Sequence, residues 1–138
     1  MTKIETVRYT AKTYSTDGSD VASHSADGAL DVKVSLPTSS SGATNPEHLF
    51  AVGLSVCFIG AIGRAARALE VVLPADIAVE VEADLDTTGY AYLVQACLNI
   101  SLPGLSRRTA EALVEAAQEL CPYARAVRVS VEVGLNLN

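Results

Sequence analysis

The chemistry available to this chain rests first on three cysteines, at positions 57, 97 and 121. A cysteine thiolate is a strong nucleophile, and two cysteines that meet can pass between a dithiol and a disulfide. A secreted disulfide framework would leave one of the three thiols over, and no charged-then-apolar signal segment occurs in the amino-terminal MTKIETVRYT. The sequence therefore predicts a cytoplasmic protein, in which cysteine pairs are more often catalytic or metal-binding than structural.

The three cysteines have different predicted settings. Cys57 lies in a wholly apolar helical stretch, where Gly53 and Gly60 leave room at the helix surface. Cys121 ends a second helix, and Cys97 falls on the polar face of a strand, where a spectator role is expected. All three can instead be inert core residues, because cysteine is among the most buried residue types. A reactive Cys57 needs a stabilised thiolate, and a nearby cation would have to supply that stabilisation because the residue is not at a helix amino terminus.

Other kinds of reaction centre are not supported by the sequence. His24 and His48 are the only histidines, and no CxxC or HxxxH pair occurs, so no metal site is expected. The chain also lacks a GxSxG nucleophile elbow, a GxGxxG loop and a Walker loop. A net charge of −6 repels phosphate backbones and anionic head groups, so neither nucleic acid nor membrane is expected as a partner. The longest apolar stretch, residues 49–62, is too short to cross a bilayer.

The amino-terminal third predicts two or three antiparallel strands. Residues 4–14 mix valine, tyrosine and threonine in a strand-like way, and turns are predicted at Asp17-Gly18 and Asp27-Gly28. Apolar and polar residues then alternate from Leu30 to Leu36, which predicts a half-buried strand. The Ser/Gly/Thr-rich residues 37–44 predict a loop.

A long helix is predicted next. Asn45 is a good N-cap, Pro46 suits the first helical position, and the carboxylate of Glu47 favours the first turn; the pattern continues to about Glu70. Residues 49–62 are apolar on every face, so the helix must be covered all round. One small sheet covers only one side of it, which favours a second subunit and hence a homodimer. The alternative is a bundle of both helices within one chain.

The carboxy-terminal half predicts a hairpin, a helix and a last strand. Residues 77–85 and 92–102 alternate with period two around a turn at residues 87–89. Ser106 caps the second helix, Pro122 stops it, and residues 127–137 form the closing strand. The order β-β-β-α-β-β-α-β indicates an α+β fold, and residues 1–138 are expected to form a single domain.

Two sets of motifs resemble one known family. The stretch TNPEHLFA at residues 44–51, followed by SVCFIGA at residues 55–61, looks like the central-helix motif of the organic hydroperoxide resistance (Ohr) branch of the OsmC/Ohr family. Three further segments resemble the second signature of that family: SLPGL at residues 101–105, the helix at 110–117 and Cys-Pro-Tyr at 121–123. Asp27-Gly28 followed by LDVK at 30–33 also fits the family pattern. The resemblance covers essentially the whole chain.

The resemblance implies a fold and a reaction. The family folds as an intertwined α+β homodimer, with antiparallel sheets, a long buried central helix and two active sites at the interface. The cysteine matching Cys57 attacks an organic hydroperoxide and releases an alcohol, and its sulfenic acid condenses with the cysteine matching Cys121. The glutamate matching Glu47 belongs to the catalytic site, although on an ideal helix it lies about 80° around the axis from Cys57.

The same resemblance implies how the enzyme is recycled. No metal, haem or flavin cofactor is needed, and the external reductant is dihydrolipoamide on a lipoyl-bearing protein. The implied role is cytoplasmic protection against oxidative stress by a cysteine-based peroxidase, an organic hydroperoxide reductase.

One position departs from the family pattern. The family generally carries an arginine in its first β-turn that pairs with the glutamate and stabilises the thiolate, and Ser19 stands at that position here. Either another cation substitutes, with Arg8, Lys12, Arg125 and Arg128 as candidates, or activity is low, or the site serves another thiol reaction. The alternative function is therefore a low-turnover redox sensor or a carrier of apolar ligands. A third hypothesis is a purely structural dimer with incidental thiols.

Overall fold

The computed structural model describes residues 4, 6–16, 21–34, 44–127 and 131–138, and the chain divides into two compact units, residues 1–46 and 47–138. The amino-terminal unit contains an antiparallel sheet of three strands in the order β1-β2-β3: β1 Thr13–Thr16, β2 Val21–Ser25 and β3 Asp31–Val34. Whether the two units make up a single domain stays a prediction.

The turn that joins β2 to β3 forms where the sequence predicts it. Gly28 has a φ of +78°, a left-handed conformation that glycine adopts without steric cost. The Asp27 carboxylate accepts hydrogen bonds from the Ser25 hydroxyl at 2.6 Å and from the Ala29 N–H at 3.0 Å. These bonds, that of Ser25 first, lower the pKa of Asp27. The predicted turn at Asp17-Gly18 and most of the predicted loop at 37–44 lie outside the described residues.

The strand predicted over residues 4–14 is wrong for most of its length. Regular pairing begins only at Thr13, where β1 meets Ser25 of β2. Ile4, Val7 and Tyr9 are exposed, so the alternation in this stretch has no buried face within the chain.

The carboxy-terminal unit contains a mixed sheet in the order β4-β5-β6. Strands β4 (Ala78–Thr88) and β5 (Ala91–Ser101) form a long antiparallel hairpin, and β6 (Val131–Asn136) pairs with β5 in parallel. The expectation of purely antiparallel sheets is therefore wrong for β6. Two helices lie between β5 and β6 along the chain, and such a crossover lets the second strand run in the same direction as the first.

The hairpin confirms the predicted alternation of buried and exposed residues, but its turn lies later in the chain than predicted. Leu98 and Ile100 of β5 are fully buried, whereas Asn99 between them is exposed. The chain reverses at Gly89 and Tyr90, two residues later than the start of the predicted turn, and Gly89 has a φ of +62°. Thr87 and Thr88 continue β4, as β-branched residues favour.

Helix α1 spans Pro46–Ala68, close to its predicted bounds. It ends in a Schellman arrangement, in which Val71 N–H donates to the Ala66 carbonyl and Glu70 N–H donates to the Arg67 carbonyl. Its core side is buried against the mixed sheet and helix α2 (Arg107–Leu120), in one hydrophobic cluster with Leu54, Phe58 and Ile62 fully buried. On the other side Val52 and Val56 are exposed by 62% and 63%, so coverage of every face stays a prediction that requires a second chain.

By length and composition, α1 could cross a membrane, with a mean hydropathy of 1.9 over 18 residues. The helix is longer than the 14-residue apolar stretch at residues 49–62, which alone is too short to cross a bilayer. The core helix of a folded domain passes the same test, and the buried Leu54, Phe58 and Ile62 are typical of such a core helix.

Helix α2 has the predicted cap and the predicted buried stripe. The Ser106 hydroxyl accepts a hydrogen bond from Thr109 N–H, and Ala110, Leu113, Val114 and Ala117 are buried. Pro122 ends α2, but it also opens a short helix that the sequence pattern did not predict, α3 (Pro122–Ala126). Proline suits the first position of a helix because its missing N–H has no intrahelical partner there.

Candidate active site

The structure brings Cys57 and Cys121 into direct contact. Their sulfur atoms lie 3.1 Å apart, and the Cys121 thiol donates a hydrogen bond to the Cys57 sulfur. Both cysteines are free thiols. A disulfide bond is about 2.05 Å long, so the two sulfurs need to approach by only about 1 Å to bond. Two of the three predicted site residues are thus neighbours, and their catalytic roles stay predictions.

Cys57 lies at the edge of the core. It is half-buried on α1, between the buried Phe58 and the exposed Val56, and it packs against the hydrophobic cluster. The helix therefore carries the Cys57 sulfur on the boundary between packed core and open surface. A small ligand approaching from the Val56 side meets an apolar wall.

Cys121 lies at the junction of two helices. Its N–H donates to the Ala117 carbonyl at 2.8 Å, which ends α2, and its sulfur accepts from the Ala124 N–H at 3.5 Å, which begins α3. The residue is fully buried. Burial raises the pKa of the Cys121 thiol; the Ala124 N–H opposes this rise, and the contact with Cys57 adds to it. Cys121 is therefore protonated at neutral pH, which suits a donor to Cys57.

Glu47, the third predicted site residue, lies far from Cys57 along the same helix. Ten residues of α1 separate it from Cys57, a rise of about 15 Å. Its Oε2 atom is buried and has no hydrogen-bond partner among the described residues. A buried carboxylate oxygen without a partner is costly, so this atom marks a place where a donor or cation is needed.

The candidate cations are placed only in part. Arg8 and Lys12 are exposed in the amino-terminal unit, and Arg125 is exposed in the last turn of α3. Arg128 and Ser19 lie outside the described residues. Near the cysteine pair the structure instead places Arg64, whose guanidinium binds the carbonyl of Leu120, next to Cys121. The sequence could have indicated Arg64 only through its spacing of seven residues from Cys57, which places both residues on the same face of α1, two turns apart.

Cys97 is directed away from this site. It is half-buried, and the flanking Ala96 and Leu98 point to the opposite face of β5, into the core. Glu82 and Glu132 are its direct neighbours on the adjacent strands. Across the described ranges, no group of three or more His, Cys, Asp or Glu side chains is placed to hold a metal ion.

Tyr123 packs on α1 one turn before Cys57. A Cβ atom added at Gly53 would lie 2.8 Å from Cε2 of Tyr123 and 3.0 Å from its hydroxyl oxygen. The absence of a side chain at Gly53 therefore lets the tyrosine ring lie against the helix. Because Tyr123 is two residues after Cys121, this contact fixes the chain that carries the Cys121 sulfur.

We expect Gly53→Ala to lack the stabilisation that alanine normally confers within a helix. Alanine is favoured over glycine in a helix interior by about 1 kcal/mol, and moving the outer atoms of the half-exposed Tyr123 ring should offset about that amount. The free energy of unfolding, measured in urea, should therefore stay the same or fall. In a Tyr123→Ala background the same substitution should raise it by about 1 kcal/mol. Equal effects in the two backgrounds would show that the ring does not rest on Gly53.

Comparison with known proteins finds similar sequences and similar structures over nearly the whole chain. The family model described as OsmC-like protein matches residues 38–136. The organic hydroperoxide resistance protein of Xanthomonas axonopodis pv. citri (strain 306) is 35% identical over 141 residues, covering 99% of each chain. The crystal structure of an organic hydroperoxide resistance protein OsmC from Legionella pneumophila has a TM-score of 0.85 at 33% identity, covering 96% of this chain and 99% of that chain. That of the organic hydroperoxide resistance protein OhrB of Bacillus subtilis has a TM-score of 0.80 at 32% identity, covering 96% and 100%.

Proposed function

This chain belongs to the OsmC/Ohr family, in its organic hydroperoxide resistance branch, and on that premise we propose that it is a cysteine-based peroxidase that reduces organic hydroperoxides to alcohols. Its helices and two small sheets form the α+β fold of that family. The observation that carries the proposal is the 3.1 Å contact in which the Cys121 thiol donates to the Cys57 sulfur. The acceptor sulfur of such a pair is the one suited to carry a negative charge.

The proposed reaction has two chemical steps before reduction. The Cys57 thiolate attacks the terminal oxygen of the hydroperoxide, the O–O bond breaks, and the alkoxide takes a proton and leaves as the alcohol. Cys57 is then a sulfenic acid. The Cys121 sulfur attacks the Cys57 sulfur, the S–O bond breaks, and the hydroxide leaves as water with the Cys121 proton. An external dithiol, proposed to be dihydrolipoamide on a lipoyl-bearing protein, returns both cysteines to thiols.

The surroundings of Cys57 favour organic over inorganic peroxides. Val56 beside Cys57 is exposed, and Val52 and Ile59 continue the same apolar side of α1. Apolar surface contributes roughly 25 cal/mol per Å² removed from water, so an alkyl or aryl group on the peroxide adds affinity that hydrogen peroxide lacks. We therefore propose bulky or fatty hydroperoxides as substrates.

A homodimer completes the proposal. Leu49, Val52, Val56 and Ile59 form a stripe with three- and four-residue spacing, and they are between 38% and 63% exposed. Such a stripe is suited to packing against an equivalent helix, and Val56 would then line an apolar pocket at the dimer interface beside Cys57 instead of open surface. A second copy is also needed to bring a glutamate to the sulfurs, because Glu47 and Cys57 are about 15 Å apart along one helix. We propose that the active dimer is cytoplasmic.

The assay that tests the proposal follows the consumption of cumene hydroperoxide or tert-butyl hydroperoxide with dihydrolipoamide as reductant. Wild-type protein should turn over, with a preference for these substrates over hydrogen peroxide. A wild-type rate no higher than that of Cys57→Ser would support the second candidate function, a redox sensor or apolar-ligand carrier. That candidate is favoured by Ser19, at the position where the family carries its thiolate-stabilising arginine.

Restoring the arginine should raise the peroxidase rate if the missing cation limits it. We expect Ser19→Arg to increase the rate of Cys57 oxidation roughly tenfold, because the family carries its thiolate-stabilising cation at this position and an opposite charge favours the ionised form. Ser19→Gln adds bulk without charge and should give no gain. An unchanged Ser19→Arg rate would indicate a substitute cation or another role.

A further inference from the structure

Arg64 connects the two helices that carry the reactive cysteines. It lies on α1, two turns after Cys57, and its Nη2 atom donates to the Leu120 carbonyl at 3.1 Å. Leu120 is the last residue of α2 and directly precedes Cys121. One side chain of the Cys57 helix therefore holds the peptide group next to the second sulfur.

Two features of the sequence make this contact possible. Gly60 lies one turn before Arg64, and the guanidinium Nη1 is 3.6 Å from where a Cβ of Gly60 would be, so the guanidinium lies back over α1 towards Cys57. The last turn of α2 contains no basic residue. The carbonyl groups at that end carry a partial negative charge that favours a cation, and Arg64 supplies it from the neighbouring helix.

The segment from Leu120 to Tyr123 is anchored on α1 at both ends. Arg64 binds Leu120 at one end, and the Tyr123 ring rests on Gly53 at the other. The Cys121 sulfur lies between the two anchors, 3.1 Å from Cys57. Without the bond to Arg64, the end of α2 loses a partner for one of its free carbonyls, and the backbone that carries Cys121 is free to fray.

We propose that Arg64 is a positioning residue for the formation of the Cys57–Cys121 disulfide. The proposal rests on the proposed peroxidase function and names a residue that favours its second step. Arg64 holds Cys121 where its sulfur can displace hydroxide from the Cys57 sulfenic acid, with water leaving, before a second peroxide converts that acid to the sulfinic acid. Its effect falls mainly on disulfide formation, the step in which the Cys121 sulfur itself forms a bond.

A thiol–disulfide equilibrium tests the positioning role without any peroxide. Protein equilibrated in mixtures of reduced and oxidised glutathione gives the stability of the Cys57–Cys121 disulfide. We expect Arg64→Gln to lower its equilibrium constant roughly three- to tenfold, as for loss of a partly exposed hydrogen bond from a charged donor. Arg64→Lys should restore part of the loss. Arg67→Gln removes the same charge from an exposed site one turn later and should change nothing.

Rapid mixing with one equivalent of cumene hydroperoxide then separates the two steps. For Arg64→Gln we expect a wild-type rate of Cys57 oxidation, slower disulfide formation and more sulfinic acid by mass spectrometry. Equal glutathione equilibria for Arg64→Gln and Arg67→Gln would overturn the proposal. So would a slower first oxidation with an unchanged equilibrium, because Arg64 would then act on the thiolate. A wild-type protein inert to peroxide would refute the peroxidase function, while the glutathione measurement would still decide the role of Arg64.

Discussion

Cys57→Ser is expected to abolish turnover of cumene hydroperoxide with dihydrolipoamide as reductant. The rate should fall by more than about 1,000-fold, because a serine hydroxyl is not ionised at neutral pH and is a far weaker nucleophile than a thiolate. The substitution replaces one half-buried atom by a similar one, so the fold and its unfolding midpoint should be retained. Peroxide consumption and thermal unfolding, measured on the same preparation, check both expectations.

Cys97→Ser is the matched control for this loss. It is also a half-buried cysteine in the carboxy-terminal unit, but it lies on the face of β5 opposite the core. We expect Cys97→Ser to keep the wild-type rate. A protein inactivated by Cys97→Ser and not by Cys57→Ser would move the reaction to the other face of the sheet and refute the assignment.

Cys121→Ser is expected to separate the first oxidation from recycling. Cys57 should still react with one equivalent of peroxide, since its own sulfur attacks the oxygen and a serine hydroxyl at position 121 can still donate a hydrogen bond to it. Steady-state turnover should fall by about 100-fold or more, because a well-oriented internal thiol acts at an effective concentration far above that of any external thiol. Mass spectrometry should show sulfenic acid after one equivalent and sulfinic acid after excess peroxide.

The short distance between the two sulfurs makes Cys121→Ser a strict test of the internal disulfide. Cys121 lies 3.1 Å from Cys57, so no other cysteine of the described chain should replace it readily. If Cys121→Ser recycles at the wild-type rate, the external dithiol attacks the sulfenic acid directly and the internal disulfide is not on the reaction path. Preparing Cys97→Ser,Cys121→Ser in parallel excludes rescue through the third cysteine.

Much of the carboxy-terminal unit could be predicted from local patterns. Ser106 identifies the start of α2, and the alternation around Leu98 and Ile100 identifies β5, because caps and periodic burial depend on neighbours in sequence. The direction of β6 and the helix at Pro122 were missed. The direction of β6 depends on which edge of the hairpin it joins after the crossover. The short helix depends on a proline that ends one helix and begins another.

The site was predictable only as a set of residues. The motifs around Cys57 and Cys121 point to the pair, but the 3.1 Å approach of their sulfurs depends on how α1 packs against the end of α2. Arg64 and Tyr123 belong to the same packing. Their partners, the Leu120 carbonyl and the bare backbone of Gly53, are groups whose position becomes known only in three dimensions.

The unequal burial of the two sulfurs gives the proposed recycling step a direction. Within one chain Cys121 is fully buried, whereas Cys57 is only half-buried, so an incoming dithiol can reach the oxidised pair more readily from the Cys57 side. The transient mixed disulfide would then form on Cys57, with Cys121 as the leaving group. A slender dithiol on a flexible arm suits such a one-sided entrance better than a thiol embedded in a rigid protein surface.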